Sequence, residues 1–202
     1  MNLSNAIKKQ LKQKALQKVD RTSLTKKAEL IKKQLLTEFE NHKVTKEIRS
    51  GPTGQNITKT LSGSESGNLY SFIGFDQNAE DPTKPIYDLL SSITIQVVNS
   101  SDSFFIKIKI PSLVDIWEAT PMPWQDGRSW AKGIESGISG LNFYLFSKNG
   151  FQNSRSGTAV QSGKLRSFAR YIPTQYISNL MKKYRKKFSS LSKGIDKITV
   201  IE

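Results

Sequence analysis

Leu3, Ile7, Leu11, Ala15 and Val19 recur every four residues, with Lys8, Lys9, Lys12 and Lys14 between them. That spacing predicts an amphipathic helix with a narrow apolar stripe. Leu24, Ala28, Ile31, Leu35 and Phe39 carry the period on to about Asn41. The run Asp20, Arg21, Thr22, Ser23 supplies capping candidates between the two stretches, so residues 2–41 read as one helix or as two. A stripe this narrow builds no core alone, so the arm, residues 1–42, must pack on the rest of the chain or on another copy of it.

The pattern then stops. Residues 43–67 are dotted with glycine and serine, show no strong period, and predict a long Gly/Ser-rich loop where connections usually take about 4–6 residues. From residue 68 onward a core follows, to residue 202. Leu69, Ser71 and Ile73 alternate with Tyr70, Phe72 and Gly74, which reads as a strand over 68–75. Ile86, Leu89 and Leu90 predict a short helix within 82–91.

The clearest unit is ITIQVV (93–98) and FFIKIKI (104–110) around a polar turn, an antiparallel hairpin. Phe104, Ile106, Ile108 and Ile110 face the core, while Phe105, Lys107 and Lys109 form the wet side. A helix capped by Ser112 comes next, then a glycine-weakened helix over Trp124–Ser139, then a buried strand or helix end over Leu141–Phe146. A turn-rich loop and a possible strand at Thr158–Gln161 follow. Beyond Pro173, Ile177, Leu180, Met181, Tyr184, Phe188 and Leu191 line one side of a basic helix ending near Ser192. The tail KITVIE adds an edge strand, to this sheet or to a neighbour.

At 202 residues the chain suits one principal domain with appendages. Its hydrophobic fraction of 36% is low, yet apolar residues cluster enough to make a core. The absence of cysteine removes disulfides, thiolate metal sites and a cysteine nucleophile. No apolar block near the N-terminus suits a secretory signal, and no run approaches the ~18 residues of a membrane span, so a soluble protein is expected.

The net charge of +14 sits at both ends of the chain. Residues 1–49 hold 13 Lys+Arg against 5 Asp+Glu, residues 50–163 hold 8 against 10, and residues 164–187 hold 8 against none. Such ends suit a polyanion such as DNA, or simply solvated helix faces. Lys182, Lys183, Arg185, Lys186 and Lys187 are the candidate DNA-facing residues, with Tyr184 on the apolar stripe beside them.

Catalytic chemistry is sparse. His42 is the only imidazole, and it falls at a helix-to-loop junction. GPTGQNIT lacks the Gly-Lys-Ser/Thr ending of a nucleotide loop. Glu80 with Asp81, and Asp115 with Glu118, suit a solvated surface better than a cation site. No cofactor, metal or small-molecule substrate is expected. Trp117, Trp124 and Trp130 crowd together beside Arg128, a composition that suits either a protein interface or a core cluster under a Pro-rich turn.

VTKEIRSGPTGQNITKTLSG and GNLYSFIGF, with GRSWAKGIESGISGLNFYLF and SRSG further on, resemble the neck or tail-completion proteins at the head–tail junction of tailed bacteriophages. With the leading helix these stretches cover about half of the chain. The Ser-Glu-Ser in LSGSESGNLY departs from the shorter glycine turn expected there.

The resemblance implies a small α+β subunit: a twisted antiparallel sheet with helices packed on it, plus basic amphipathic helices at both ends, copied into a ring without catalysis. It implies a virion protein made in the host cytoplasm, partnered by copies of itself and by neighbouring portal, adaptor and tail proteins. Non-specific DNA contact belongs to the same picture. Interface candidates are Thr53, Gln55, Asn56 and Thr58, in a loop expected to stay mobile until assembly orders it or else to be a plain linker, together with Trp117, Trp124, Arg128 and Trp130. The rival expectation is a basic nucleic-acid-binding protein acting through its terminal helices.

Overall fold

The computed structural model describes residues 3–61, 68–99, 104–123, 125–137, 172–191 and 198–201. For residues 3–20, 99, 104, 125 and 198–201 it describes the backbone alone.

Helix α1 (Leu3–Asn41) is one uninterrupted helix of 39 residues. No glycine or proline occurs before Gly51, and Asp20 to Ser23 do not cap because the chain never leaves the helix there. Leu24, Ala28, Leu35 and Phe39 are buried, so the stripe over 24–39 packs on the core as expected. Lys32 Nζ donates to the Ile93 carbonyl at 2.8 Å, pinning the middle of the helix to the start of the sheet.

The chain turns at His42 into α2 (Lys43–Arg49), where the sequence predicted loop. The signal was hidden because two of its four inward residues are polar. Val44 and Ile48 are buried, but so are Thr45 and Glu47.

A second correction concerns residues 68–75, which form helix α3 (Leu69–Ile73) rather than a strand. The Asn68 side chain accepts from Ser71 N at 3.0 Å as the N-cap, and Gly74 closes the helix with a left-handed φ of 84°. Leu69, Tyr70, Ser71 and Ile73 are all buried. A short run buried on every side has no period to distinguish helix from strand.

Helix α4 (Lys84–Ser91) buries Ile86 and Leu90. The expected hairpin follows: β1 (Thr94–Asn99) and β2 (Phe104–Lys109) pair antiparallel with Ile95 opposite Ile108 and Val97 opposite Ile106. Ile106, Ile108 and Ile110 are buried, and Lys107 and Lys109 exposed. The tail strand β5 (Ile198–Ile201) joins β2 in parallel, giving the order β1-β2-β5.

Helix α5 (Leu113–Glu118) starts on a capping box, with Ser112 Oγ accepting from Asp115 N at 3.1 Å and Asp115 Oδ2 from Ser112 N at 2.8 Å. The helix expected over 124–139 is in part a hairpin of β3 (Pro121–Met122) and β4 (Gln125–Ser129), with helix α6 only over Trp130–Ser136. Gly127, at a φ of 74°, breaks the helix that the sequence suggested, and Ser129 caps the real one through its bond from Lys132 N at 3.1 Å. Residues 138–171, with the elements expected at Leu141–Phe146 and Thr158–Gln161, lie outside the described residues.

Helix α7 (Ile177–Ser190) buries Ile177, Leu180, Met181, Tyr184 and Phe188, and it packs on α1. Buried residues from Leu24 to Phe188 form one hydrophobic cluster, so the architecture is α+β, helices against a small sheet. Trp130 sits at its centre, 5.7 Å from the Phe75 ring and 6.4 Å from the Tyr176 ring, between centroids.

Candidate functional site

Residues 51–61 form no helix and, apart from an isolated bridge at Leu61, no strand, yet they are fastened at many points. Glu47, wholly buried in α2, accepts from Thr58 N at 2.6 Å and from Leu69 N at 2.8 Å. Asn68 Nδ2 donates to the Gly51 carbonyl at 2.7 Å and the Gly54 carbonyl at 2.9 Å. Asn56 Nδ2 donates to the Leu61 carbonyl at 2.9 Å, and Ile172 N to the Thr60 carbonyl at 3.0 Å. A bare linker needs none of these bonds, and a segment awaiting a partner to order it does not already hold them. The expectation of a loop ordered only by assembly is therefore corrected for 51–61; residues 62–67 lie outside the described residues.

The outward side of the loop alternates with its inward side. Thr53, Gln55, Ile57 and Lys59 are exposed, whereas Asn56 and Thr58 are half-buried and used internally, Thr58 Oγ1 accepting from Thr60 Oγ1 at 2.6 Å. Of the four loop residues proposed for an interface, only Thr53 and Gln55 present themselves openly.

Beside the loop lies an open cleft of about 480 Å³, lined by Glu38, His42, Lys43, Thr58, Thr174 and Gln175 among others. His42 is the N-cap of α2, its Nδ1 accepting from Val44 N at 3.3 Å, and its ring lies 5.0 Å from that of Tyr176. Burial lowers its pKa below the ordinary value, against the pull of the Glu38 and Glu135 carboxylates. The imidazole is thus engaged as a helix cap rather than presented as a base. Tyr176, buried beside His42, shares a 2.9 Å hydrogen bond with Thr45, and burial pushes its phenol pKa up strongly.

Glu38, which also lines the cleft, accepts from Lys183 Nζ at 2.6 Å and from Tyr184 OH at 2.7 Å. Burial raises its pKa, but these two bonds and the lysine charge outweigh burial and hold the carboxyl below its usual range. Glu135, in α6, accepts from Tyr176 N at 3.1 Å and Ser178 N at 2.7 Å, and from the Ser178 hydroxyl. It caps α7 from another helix, since Tyr176 provides no side-chain cap.

Among the other residues singled out in the sequence, Trp130 is a correction: at 2% exposure it belongs to the core and cannot offer its ring to a partner. Trp117 is half-buried against that core, Arg128 is exposed on β4, and Trp124 lies outside the described residues. On the basic face of α7, Lys183 is exposed as well, and Arg185 and Lys187 are half-buried. Lys183 is tied to Glu38, Arg185 donates to the Pro111 carbonyl at 3.3 Å, and Lys187 lies 4.4 Å from the centre of the Tyr184 ring. Lys182 and Lys186 are exposed.

Sequence reasoning missed Glu47, Asn68, Glu135 and Tyr176, the side chains that hold the loop and cleft in place. Only Asn68 gave a readable signal, as a cap candidate three residues before Ser71. Among the described residues no group of His, Cys, Asp or Glu is arranged to hold a metal ion, and no helix is long and apolar enough to cross a membrane. No family model matches the chain, and neither curated proteins nor solved structures show a significant similarity to it.

Proposed function

We propose that this protein is a structural subunit of a tailed-phage virion, forming a ring at the head–tail junction by contact with copies of itself and with neighbouring portal, adaptor and tail proteins. The observation that carries the reading is α1. At 39 residues and 1.5 Å per residue it is roughly 58 Å long, whereas a compact chain of 202 residues is about 43 Å across on the usual scaling of size with length. A helix longer than its own domain, carrying an apolar stripe along both halves, suits a subunit that reaches a neighbour. His42, Glu47 and Glu135 support the same reading, because all three bind backbone N–H groups and serve the fold.

The rival reading, a free-standing nucleic-acid-binding protein, draws support from the charge of +14. It is weakened on α7, where three of the five candidate cations are engaged within the chain.

Native mass measurement of the purified protein, with a search for it in phage particles, tests the proposal. A closed oligomer present in virions supports it. A monomer absent from particles, binding duplex or single-stranded DNA tightly at physiological salt, transfers the role to the rival.

A further inference from the structure

The second half of α1 packs against α7. Glu38 meets Lys183 at 2.6 Å and Gln34 meets Lys187 at 3.4 Å, so a step of four back along α1 is a step of four forward along α7. The two helices therefore lie side by side and antiparallel. Their apolar stripes, Leu24 to Phe39 and Ile177 to Phe188, are buried beneath them. At about 100° per residue, the positions opposite those stripes are Lys26 and Lys33 on α1 and Lys182 and Lys186 on α7, all of them exposed. Lys27, exposed too, stands on the side of α1 that faces α7, on the same row as Gln34 and Glu38.

None of these five lysines makes a hydrogen bond or an ion pair among the described residues. Lys183 and Lys187, along the seam, are held by Glu38, Gln34 and the Tyr184 ring, so the charge of the outer face does not depend on them. Residues 24–41 and 177–191 together hold nine Lys and Arg against three Glu. Of those three, Glu38 is bonded to Lys183 and Glu40 lies 3.9 Å from Arg49, which leaves Glu29. The face is thus a patch of uncompensated positive charge. The aromatic side chains of the two spans, Phe39, Tyr184 and Phe188, are buried, so no ring is left on it for a base to stack on.

We infer that the outer face of α1 and α7 binds the phosphate backbone of duplex DNA without reading its sequence, Lys26 and Lys33 following one strand and Lys182 and Lys186 the other. Packed helices lie about 8–10 Å apart, and the strands bordering a groove of B-DNA lie about 6–12 Å apart, so two rows of cations meet two rows of phosphates. Lys26 and Lys33 are separated by roughly 10 Å along the helix axis, and duplex DNA presents a charge every 1.7 Å or so of its own axis. Each row therefore reaches several phosphates, a density of negative charge that a folded acidic protein does not offer. The inference goes beyond the ring proposed above and does not rest on it.

The test titrates the full chain with labelled DNA duplexes of two unrelated sequences at a series of salt concentrations, with circular dichroism to check that each variant folds. Wild type is expected to bind both duplexes alike at low salt, and more weakly as salt rises. Lys26→Ala with Lys33→Ala, and Lys182→Ala with Lys186→Ala, are each expected to weaken both duplexes equally and to flatten the slope of log affinity against log salt by about 2. Lys107→Ala with Lys109→Ala, on the wet side of β2, removes the same charge and is expected to leave that slope nearly unchanged. Helix variants indistinguishable from this control overturn the inference, because binding then follows net charge or another part of the chain. Wild type that binds no duplex at low salt overturns it, and so does single-stranded DNA bound more tightly than duplex. Poly-glutamate bound as tightly as duplex assigns the face to an acidic protein instead. Oligomeric mass is expected to be the same in all these variants, so failure of the ring shows in native mass and failure of this inference in the titration.

Discussion

Glu47 takes a carboxylate out of water and surrounds it with backbone N–H groups from two segments, at Thr58 and Leu69. Each such bond to a charged acceptor is worth about 1.5–3 kcal/mol, and donors left behind stay buried. Glu47→Ala is therefore expected to cost roughly 3–5 kcal/mol in urea unfolding, while a surface change such as Lys46→Ala stays within about 0.5 kcal/mol. His42 makes a pH prediction. Its folded pKa lies below the ordinary 6.5, so the unfolded chain takes up the proton first. Stability from this residue is present above pH 6.5 and declines as pH falls through the window down to the folded pKa. Urea midpoints of wild type and His42→Asn, which keeps a cap acceptor without titrating, are expected to converge on acidification. Parallel midpoints would remove the role given to burial.

At the scale of elements, what the sequence revealed depended on which side chains point inward. The hairpin and α7 were legible because Ile106, Ile108 and Ile110, and Ile177 through Phe188, are apolar inward positions at a clean period. Helices α2 and α3 were not, because Thr45, Glu47 and Ser71 are buried polar residues whose partners are distant in sequence. The β3–β4 hairpin was masked by Trp130 and Ile134, whose spacing imitates a helix longer than the one Gly127 permits. The site suffered from the same limit: Thr53 and Gln55, read from the sequence as interface candidates, are exposed, but the staples beneath them were not read. Asn68 joins both elements, capping α3 and holding two carbonyls of the loop. Asn68→Ala is expected to cost about 2 kcal/mol, a lost cap plus lost loop bonds. Hydrogen exchange should then quicken at Gly54 and Thr58 before it does in β2. Uniform acceleration across the fold would contradict a local staple.

At the scale of the whole molecule, reach is concentrated in α1, while the net charge is shared between the two ends of the chain. Assembly through α1, as proposed above, would account for the length of the helix. Deleting residues 1–20 leaves the buried stripe from Leu24 onward intact. The truncated chain is expected to unfold within about 1 kcal/mol of the full chain at equal, dilute concentration, with its oligomeric mass gone. The most direct test of the central claim is the native mass of the full-length protein across a dilution series at low salt. The account predicts a closed oligomer of fixed copy number that persists on dilution and is matched by the copy number in particles. A single species of 22.7 kDa at every concentration, absent from particles, would contradict it.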